Sequence, residues 1–237
     1  MKHLCIYTNT NTLIGTLGGS ATPKFKRDGD EFTREARAYQ KYNIAQGAEV
    51  FTHGVSARQP FRDRLWDFSQ IVGEHIREHK NADVLAYWGH GYPSGIQLGF
   101  KWKHGASMLA RDMIGLEAKT LILYACSVAK GKNNFLLWIA EELIKNGVKD
   151  FKLFGHDRRG HTMKNPFVVC YKPKEIPAPA ESPGIVVPDD KTILIPERIE
   201  FRKIMSPEAW KGWREGLKGD QRFEFPFIGI EDQKFWQ

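Results

Sequence analysis

The chain has 237 residues, 41% hydrophobic and 27% charged, which describes a sizeable globular domain with or without an appendage and excludes a disordered or fibrous chain. No apolar stretch approaches the ~20 residues of a membrane helix, and the start, Met1-Lys2-His3-Leu4-Cys5-Ile6-Tyr7, lacks the apolar core and cleavage site of a secretory leader, so a cytoplasmic protein with no membrane span is expected. The net charge is +7, but Lys and Arg are scattered, so nucleic acid is not the expected partner.

In chain order, residues 3–7 read as a first strand. The glycine-rich stretch Gly15-Thr16-Leu17-Gly18-Gly19-Ser20 follows it. It has no Lys-Ser/Thr pair, and helical pattern resumes only near Asp30, so a loop over the sheet edge is expected rather than a phosphate cradle. Residues 30–46 carry Phe32, Ala36, Tyr39 and Ile44 near a helical period, and 48–52 read as the second strand. A second amphipathic helix is expected over 60–80, with Leu65, Phe68, Ile71, Val72 and Ile76 on one face. Two short apolar runs, 84–88 and 121–125, read as buried strands. A helix over 133–145 follows, apolar at Phe135, Leu136, Ile139, Leu143 and Ile144, with Asn146-Gly147 as its stop. Residues 151–154 and 167–171 complete the strands. Strands alternating with helices predict an α/β fold, a mostly parallel sheet with helices on both faces.

The composition changes after Tyr171. Pro173, Pro177, Pro179, Pro183 and Pro188 predict an extended linker over 173–190 between a main domain, 1–172, and a short aromatic-rich extension, 191–237. In the extension Ser206-Pro207-Glu208 has the form of a helix start, with Trp210, Trp213 and Leu217 at helical spacing. Phe223, Phe225 and Phe227 then alternate like a strand. So many aromatic side chains need covering, so the extension is expected to dock on the main domain.

The chemistry sits at the ends of two strands. One ends Tyr87-Trp88-Gly89-His90-Gly91 and the other Tyr124-Ala125-Cys126-Ser127. In an open α/β sheet ligands bind outside the carboxyl ends of the strands, so His90 and Cys126 are a candidate base and nucleophile. A cysteine hydrolase needs an accessible thiol, an imidazole to move its proton, and backbone N–H groups to receive an oxyanion. Cys126, His90 and the Gly91 backbone match those needs. Cys5 and Cys170 lie in apolar runs and read as small buried hydrophobes. Three cysteines without metal spacing fit a reducing compartment.

A strand ending His-Gly, a spacer, and a strand ending Ala-Cys resembles the caspase-like cysteine peptidases, the clan of caspases, metacaspases, legumain, clostripain and the bacterial CHAT proteases. The resemblance covers roughly 84–127 by motif and 3–171 by order of elements, and it lies closer to the clostripain and CHAT branch than to true caspases. It implies a cysteine endopeptidase in which Cys126 forms a thioester and His90 protonates the leaving amine. The N–H groups of Gly91 and Cys126 would hold the oxyanion. It implies no metal or cofactor. The implied partners are a protein or peptide substrate and a regulatory protein.

Tyr124-Ala125-Cys126-Ser127 departs from the Gln-Ala-Cys-Arg-Gly of caspases, so cleavage after Asp does not carry over. In the loop after the fifth strand, Asp157 would favour a basic P1 residue, whereas Arg158 or Arg159 would favour an acidic one. The basic alternative is the one the bacterial members suggest. Tyr124 and His53 are further candidates for the substrate pocket. His53-Gly54 also ends a strand-like run and competes with His90 as the base; the strand of His90 immediately precedes that of Cys126, which favours His90. His75 and His79 stand four apart, a spacing that can grip a metal, but Gly73-Glu74-His75-Ile76-Arg77-Glu78-His79 reads better as an exposed charged helix face. Two other readings stay open: a catalytically silent interaction module, and a thiol acyl hydrolase that is not a peptidase.

Overall fold

The computed structural model describes residues 1–8, 23–55, 73–74, 76–159, 167–176, 192–201 and 208. Nine strands, β1 Lys2–Thr8, β2 Glu49–Val55, β3 Val84–Trp88, β4 Gly91–Tyr92, β5 Gly95–Ile96, β6 Thr120–Tyr124, β7 Lys152–His156, β8 Val168–Ile176 and β9 Ile193–Glu200, are seen among them. Three helices accompany them, α1 Pro23–Ala45, α2 Trp102–Leu116 and α3 Phe135–Lys145. Residues 73–74 and 76–78 are also helical. The main sheet has seven strands in the order β2-β1-β3-β6-β7-β8-β9, and β4 and β5 form a separate hairpin. Its first five strands are parallel, while β8 and β9 run antiparallel to their neighbours. This is an α/β fold built on a mostly parallel mixed sheet. Among the described residues no helix is long and apolar enough to cross a membrane.

The central strands read as unbroken apolar runs because both of their faces are covered. All five residues of β3 are buried, and alternation sends them to two cores. Leu85, Tyr87, Leu121, Leu123 and Ala125 face α2 and α3, meeting Leu109, Met113, Leu136 and Ile139. Val84, Ala86, Trp88, Ile122 and Tyr124 face α1, meeting Phe32, Ala36 and Tyr39.

Besides the short β4–β5 hairpin, which the sequence pattern did not announce, the predicted elements differ from the observed ones in four places. First, α1 starts at Pro23, earlier than its apolar period predicts; proline suits the first turn of a helix. Second, the sequence pattern gave no signal strong enough to predict α2, although Ala106, Leu109, Ala110, Met113 and Leu116 are its buried face. Third, the proline cluster predicts a linker from residue 173, yet β8 continues through Pro173 to Ile176. Pro173 stands opposite Pro196 of β9, and two facing prolines fit only a non-bonded position of the ladder. Fourth, Ile193–Glu200, within the predicted extension, is the edge strand of the sheet. The glycine-rich loop at 15–20, most of the predicted helix 60–80, the prolines from Pro177 to Pro188, and Trp210, Trp213, Leu217, Phe223, Phe225 and Phe227 lie outside the described residues.

One buried histidine makes the fold acid-sensitive. His3 is 3% exposed, and its Nδ1 lies 2.8 Å from the Tyr39 hydroxyl. Burial holds its imidazole down at about 4, with the N-terminal ammonium adding to the effect and Asp83 opposing it. The unfolded chain therefore takes up a proton near the usual value of 6.5, which the folded chain refuses until about pH 4. Stability contributed by His3 is present above the upper value and is lost as pH falls through that window. The variant His3→Gln is expected to show a shallower loss of thermal stability between those pH values than the wild type, measured by circular dichroism.

Candidate active site

The strands β3 and β6 are neighbours in register, with Trp88 opposite Tyr124 as their last matched pair. One further ladder bond, from Gly89 N–H to the Tyr124 carbonyl, spans 3.5 Å. His90 and Cys126 each follow two residues after that matched pair. They leave the sheet side by side from strands spaced about 4.8 Å apart.

Gly91 closes this arrangement. A Cβ built there would stand 2.7 Å from the Ala125 Cβ and 2.8 Å from the Cys126 carbonyl oxygen, so only a residue without a side chain lets the two dipeptides meet. Its N–H direction follows from the hairpin. Gly91 pairs with Ile96, but the Ile96 N–H donates to the Phe100 carbonyl at 3.0 Å and the Gln97 N–H to the His90 carbonyl at 3.0 Å. In an antiparallel ladder, opposite residues exchange both bonds or neither. Gly91–Ile96 is therefore a non-bonded pair, and the Gly91 N–H points away from β5.

His90 is held by its backbone and by its ring. Its carbonyl also accepts from the Tyr87 hydroxyl at 3.2 Å. Its N–H donates to Gln97 Oε1 at 3.4 Å, and the same oxygen accepts from the Thr8 hydroxyl at 3.3 Å. Phe32 of α1 meets the imidazole edge-on, with centroids 5.2 Å apart. Gln97, 2% exposed, is a site residue that sequence reasoning missed. Its only signal is its place after the turn Tyr92-Pro93-Ser94-Gly95, which would have had to be read as a hairpin.

Cys126 is partly exposed, whereas Cys5 and Cys170 are buried, and burial pushes the Cys5 thiol up. The next residue, Ser127, is buried and adopts φ +59°. A non-glycine residue in that region costs on the order of 1 kcal/mol, and such strain concentrates at functional turns. Surrounding bonds hold the turn in place. Ser127 N–H donates to the Arg158 carbonyl at 3.2 Å, Lys130 N–H to the Ser127 carbonyl at 3.0 Å, and Ala129 N–H to the His156 carbonyl at 3.0 Å.

The first turn of α3 clamps both loops. Helix starts leave N–H groups without intrahelical partners. In α3, Phe135 N–H reaches the Pro93 carbonyl at 2.7 Å and Leu136 N–H reaches the Val128 carbonyl at 3.1 Å. Leu137 N–H is capped by Asn134 Oδ1 at 2.9 Å. One helix start thus fixes the hairpin carrying Gly91 and the loop following Cys126. Tyr92, next to Gly91, is partly covered; burial first, and then the nearby Cys126 sulfur, raise its phenol above the usual range.

The remaining sequence candidates fall elsewhere. Tyr124 is fully buried, its ring stacked on Trp88 at 4.5 Å, so it is a core residue beneath the strand end and not a substrate contact. His53 lies within β2, opposite Ile6; the strand order puts three strand spacings, roughly 14 Å, between β2 and β6. Asp157 and Arg158 do lie beside the Cys126 turn. However, Asp157 Oδ2 is engaged by Arg198 Nη2 of β9 at 3.4 Å, which occupies the carboxylate expected to favour a basic P1 residue. The Arg158 guanidinium lies over the Phe167 ring at 4.2 Å. The His79 ring packs on Phe51 at 4.8 Å, and His75 lies outside the described residues. Among the described residues no three His, Cys, Asp or Glu side chains converge as a metal site requires.

This arrangement brings the residues that carry a partly exposed thiol and an imidazole to the ends of two neighbouring strands, with the Gly91 backbone seated against the thiol's own residue. Those are the parts for acyl transfer through sulfur. No family model, no curated protein and no solved structure matches the chain.

Proposed function

We propose that the protein is a caspase-like cysteine endopeptidase working through Cys126 and His90. The single observation that carries the reading is the seating of Gly91 against Ala125 and the Cys126 carbonyl, at the ends of two strands in register. Fold class alone would not carry it, since one fold hosts many functions.

In this reading the Cys126 sulfur, its proton passed to His90, attacks the peptide carbonyl and forms a C–S bond. The carbonyl oxygen becomes an oxyanion held by the N–H groups of Gly91 and Cys126. The C–N bond then breaks as His90 returns the proton to the leaving amine. Water, deprotonated by His90, cleaves the thioester and restores the thiol. Phe32, Tyr87 and Gln97 fix the imidazole and its backbone, so that little reorganisation is needed.

The test is proteolysis of a peptide library under reducing conditions, read by mass spectrometry. The wild type is expected to cleave, and His90→Ala to slow cleavage by roughly 10²–10⁴-fold. His53→Ala is expected to stay within a few-fold of the wild type. Loss in His53→Ala with His90→Ala unaffected would move the base to β2. No cleavage by the wild type would favour the silent interaction module, and turnover of simple acyl esters without peptide cleavage would favour the acyl hydrolase.

A further inference from the structure

The hairpin that carries Gly91 continues past the site, and its next residue is an exposed aromatic. Tyr92 stands opposite Gly95, and strand alternation sends its side chain to the face opposite that of Gly91 and Ile96. The Gly91 face is the core side. Ile96 is 2% exposed, and a Cβ at Gly91 would meet Ala125 and Val128. The Tyr92 ring therefore emerges on the outer face, where Gly95 offers no side chain to cover it, and 38% of the residue stays exposed.

Two observations tie this ring to the thiol. Gly91, its neighbour in the chain, is seated so closely on Cys126 that an added Cβ would fall 2.8 Å from the carbonyl oxygen. After burial, the Cys126 sulfur is the group that raises the Tyr92 phenol, and such an influence fades quickly with separation. The backbone on the far side of Tyr92 is pinned as well, since the Pro93 carbonyl accepts from Phe135 N–H at 2.7 Å. The reaction gives this side of the thiol a direction. His90 hands its proton to the leaving amine, so the chain beyond the scissile bond departs past the strand end that carries His90, Gly91 and Tyr92.

We propose that Tyr92 is a specificity-determining residue for the substrate position immediately after the scissile bond, where its ring takes an aromatic or branched apolar side chain. The inference rests on the peptidase reading for the direction of the chain, whereas the apolar contact beside the thiol stands on the hairpin geometry. The ring, not the hydroxyl, is the recognising group, so Phe serves in place of Tyr.

The experiment has two arms, each run on the wild type, Tyr92→Ala and Tyr92→Phe, with melting curves beside them. In the first, kcat/KM is measured on peptides built on a cleaved library site, with Phe, Leu, Gly or Asp immediately after the cut. The wild type is expected to favour Phe and Leu over Gly by roughly fivefold, the size of one aromatic contact. Tyr92→Ala is expected to level the series and Tyr92→Phe to restore it. Trp102 is the control, an exposed aromatic whose N–H donates to the Ser94 carbonyl of the same turn at 2.6 Å. Trp102→Ala is expected to keep the order, and levelling by Trp102→Ala but not by Tyr92→Ala would overturn the proposal. The second arm needs no hydrolysis. Cys126 is alkylated with iodoacetamide or N-phenyl iodoacetamide, and the rates are read by mass spectrometry. The advantage of the aromatic reagent is expected to fall about fivefold in Tyr92→Ala and to return in Tyr92→Phe. A preference retained by Tyr92→Ala, or a reagent ratio that it leaves unchanged, would overturn the proposal. Cleavage with an unchanged order would keep the peptidase and remove this inference. No wild-type cleavage, with a reagent ratio lowered in Tyr92→Ala, would remove the peptidase and keep the apolar contact.

Discussion

Cys126→Ala is expected to lower peptide hydrolysis at least ~10⁴-fold, to the level of the uncatalysed reaction plus whatever binding alone supplies. Without the sulfur no thioester forms, and neither other cysteine can replace it. Cys5 and Cys170 are 0% and 3% exposed and point into the core packed under α1. The fold is expected to survive. Cys126 is partly exposed, and the register beneath it depends on Leu121, Leu123, Tyr124 and Ala125, all fully buried. Kinetics with a cleaved library peptide, beside circular dichroism melting, checks both halves. Activity retained in Cys126→Ala would end the assignment.

Gly91→Ala is expected to damage both the site and the fold, by a mechanism distinct from the loss of a reacting group. The new Cβ would fall 2.7 Å from the Ala125 Cβ and from Val128 Cγ1, and 2.8 Å from the Cys126 carbonyl oxygen. Two of these three contacts cannot yield by rotating a side chain. Phe135 N–H holds the hairpin through the Pro93 carbonyl, so β4 cannot simply swing away. Overpacking of this kind costs about 1–3 kcal/mol. The shift also carries the Gly91 N–H away from the oxyanion position, for which a loss of roughly 10²–10³ in kcat is expected. The variant should therefore melt lower than the wild type and hydrolyse slowly, yet keep its thiol. A Gly91→Ala protein with unchanged kcat would show that this backbone does not serve the reaction.

The sheet was legible in the sequence where burial is complete. In β3 the apolar run Val84 to Trp88 stops at the observed ends, because both faces are covered and no alternation blurs the boundaries. That the strands leading to His90 and Cys126 are neighbours was legible for the same reason: the composition marks the limits of both. α2 was not legible, since Gly105 and Gly115 weaken its helical signal while its buried face supplies the stability. β9 was hidden because an edge strand carrying Pro196, Glu197 and Arg198 looks like a polar linker until β8 pairs with it.

Long-range partners were the least legible part of the site. Arg198 stands 41 residues from Asp157, and nothing local announces that β9 would bring it there. Gln97 serves His90 only because β4 and β5 fold back into a hairpin. Tyr124 could have been placed correctly, because strand alternation sends it to the face opposite Leu123, into the core beneath α1.

The most direct measurement is covalent mapping of the thiols with a peptidyl acyloxymethyl ketone, followed by digestion and mass spectrometry. The account predicts one adduct, on Cys126, formed at least about tenfold more slowly in His90→Ala, with Cys5 and Cys170 unmodified in the folded protein. An adduct on another cysteine, or labelling of Cys126 at the same rate with and without His90, would contradict it.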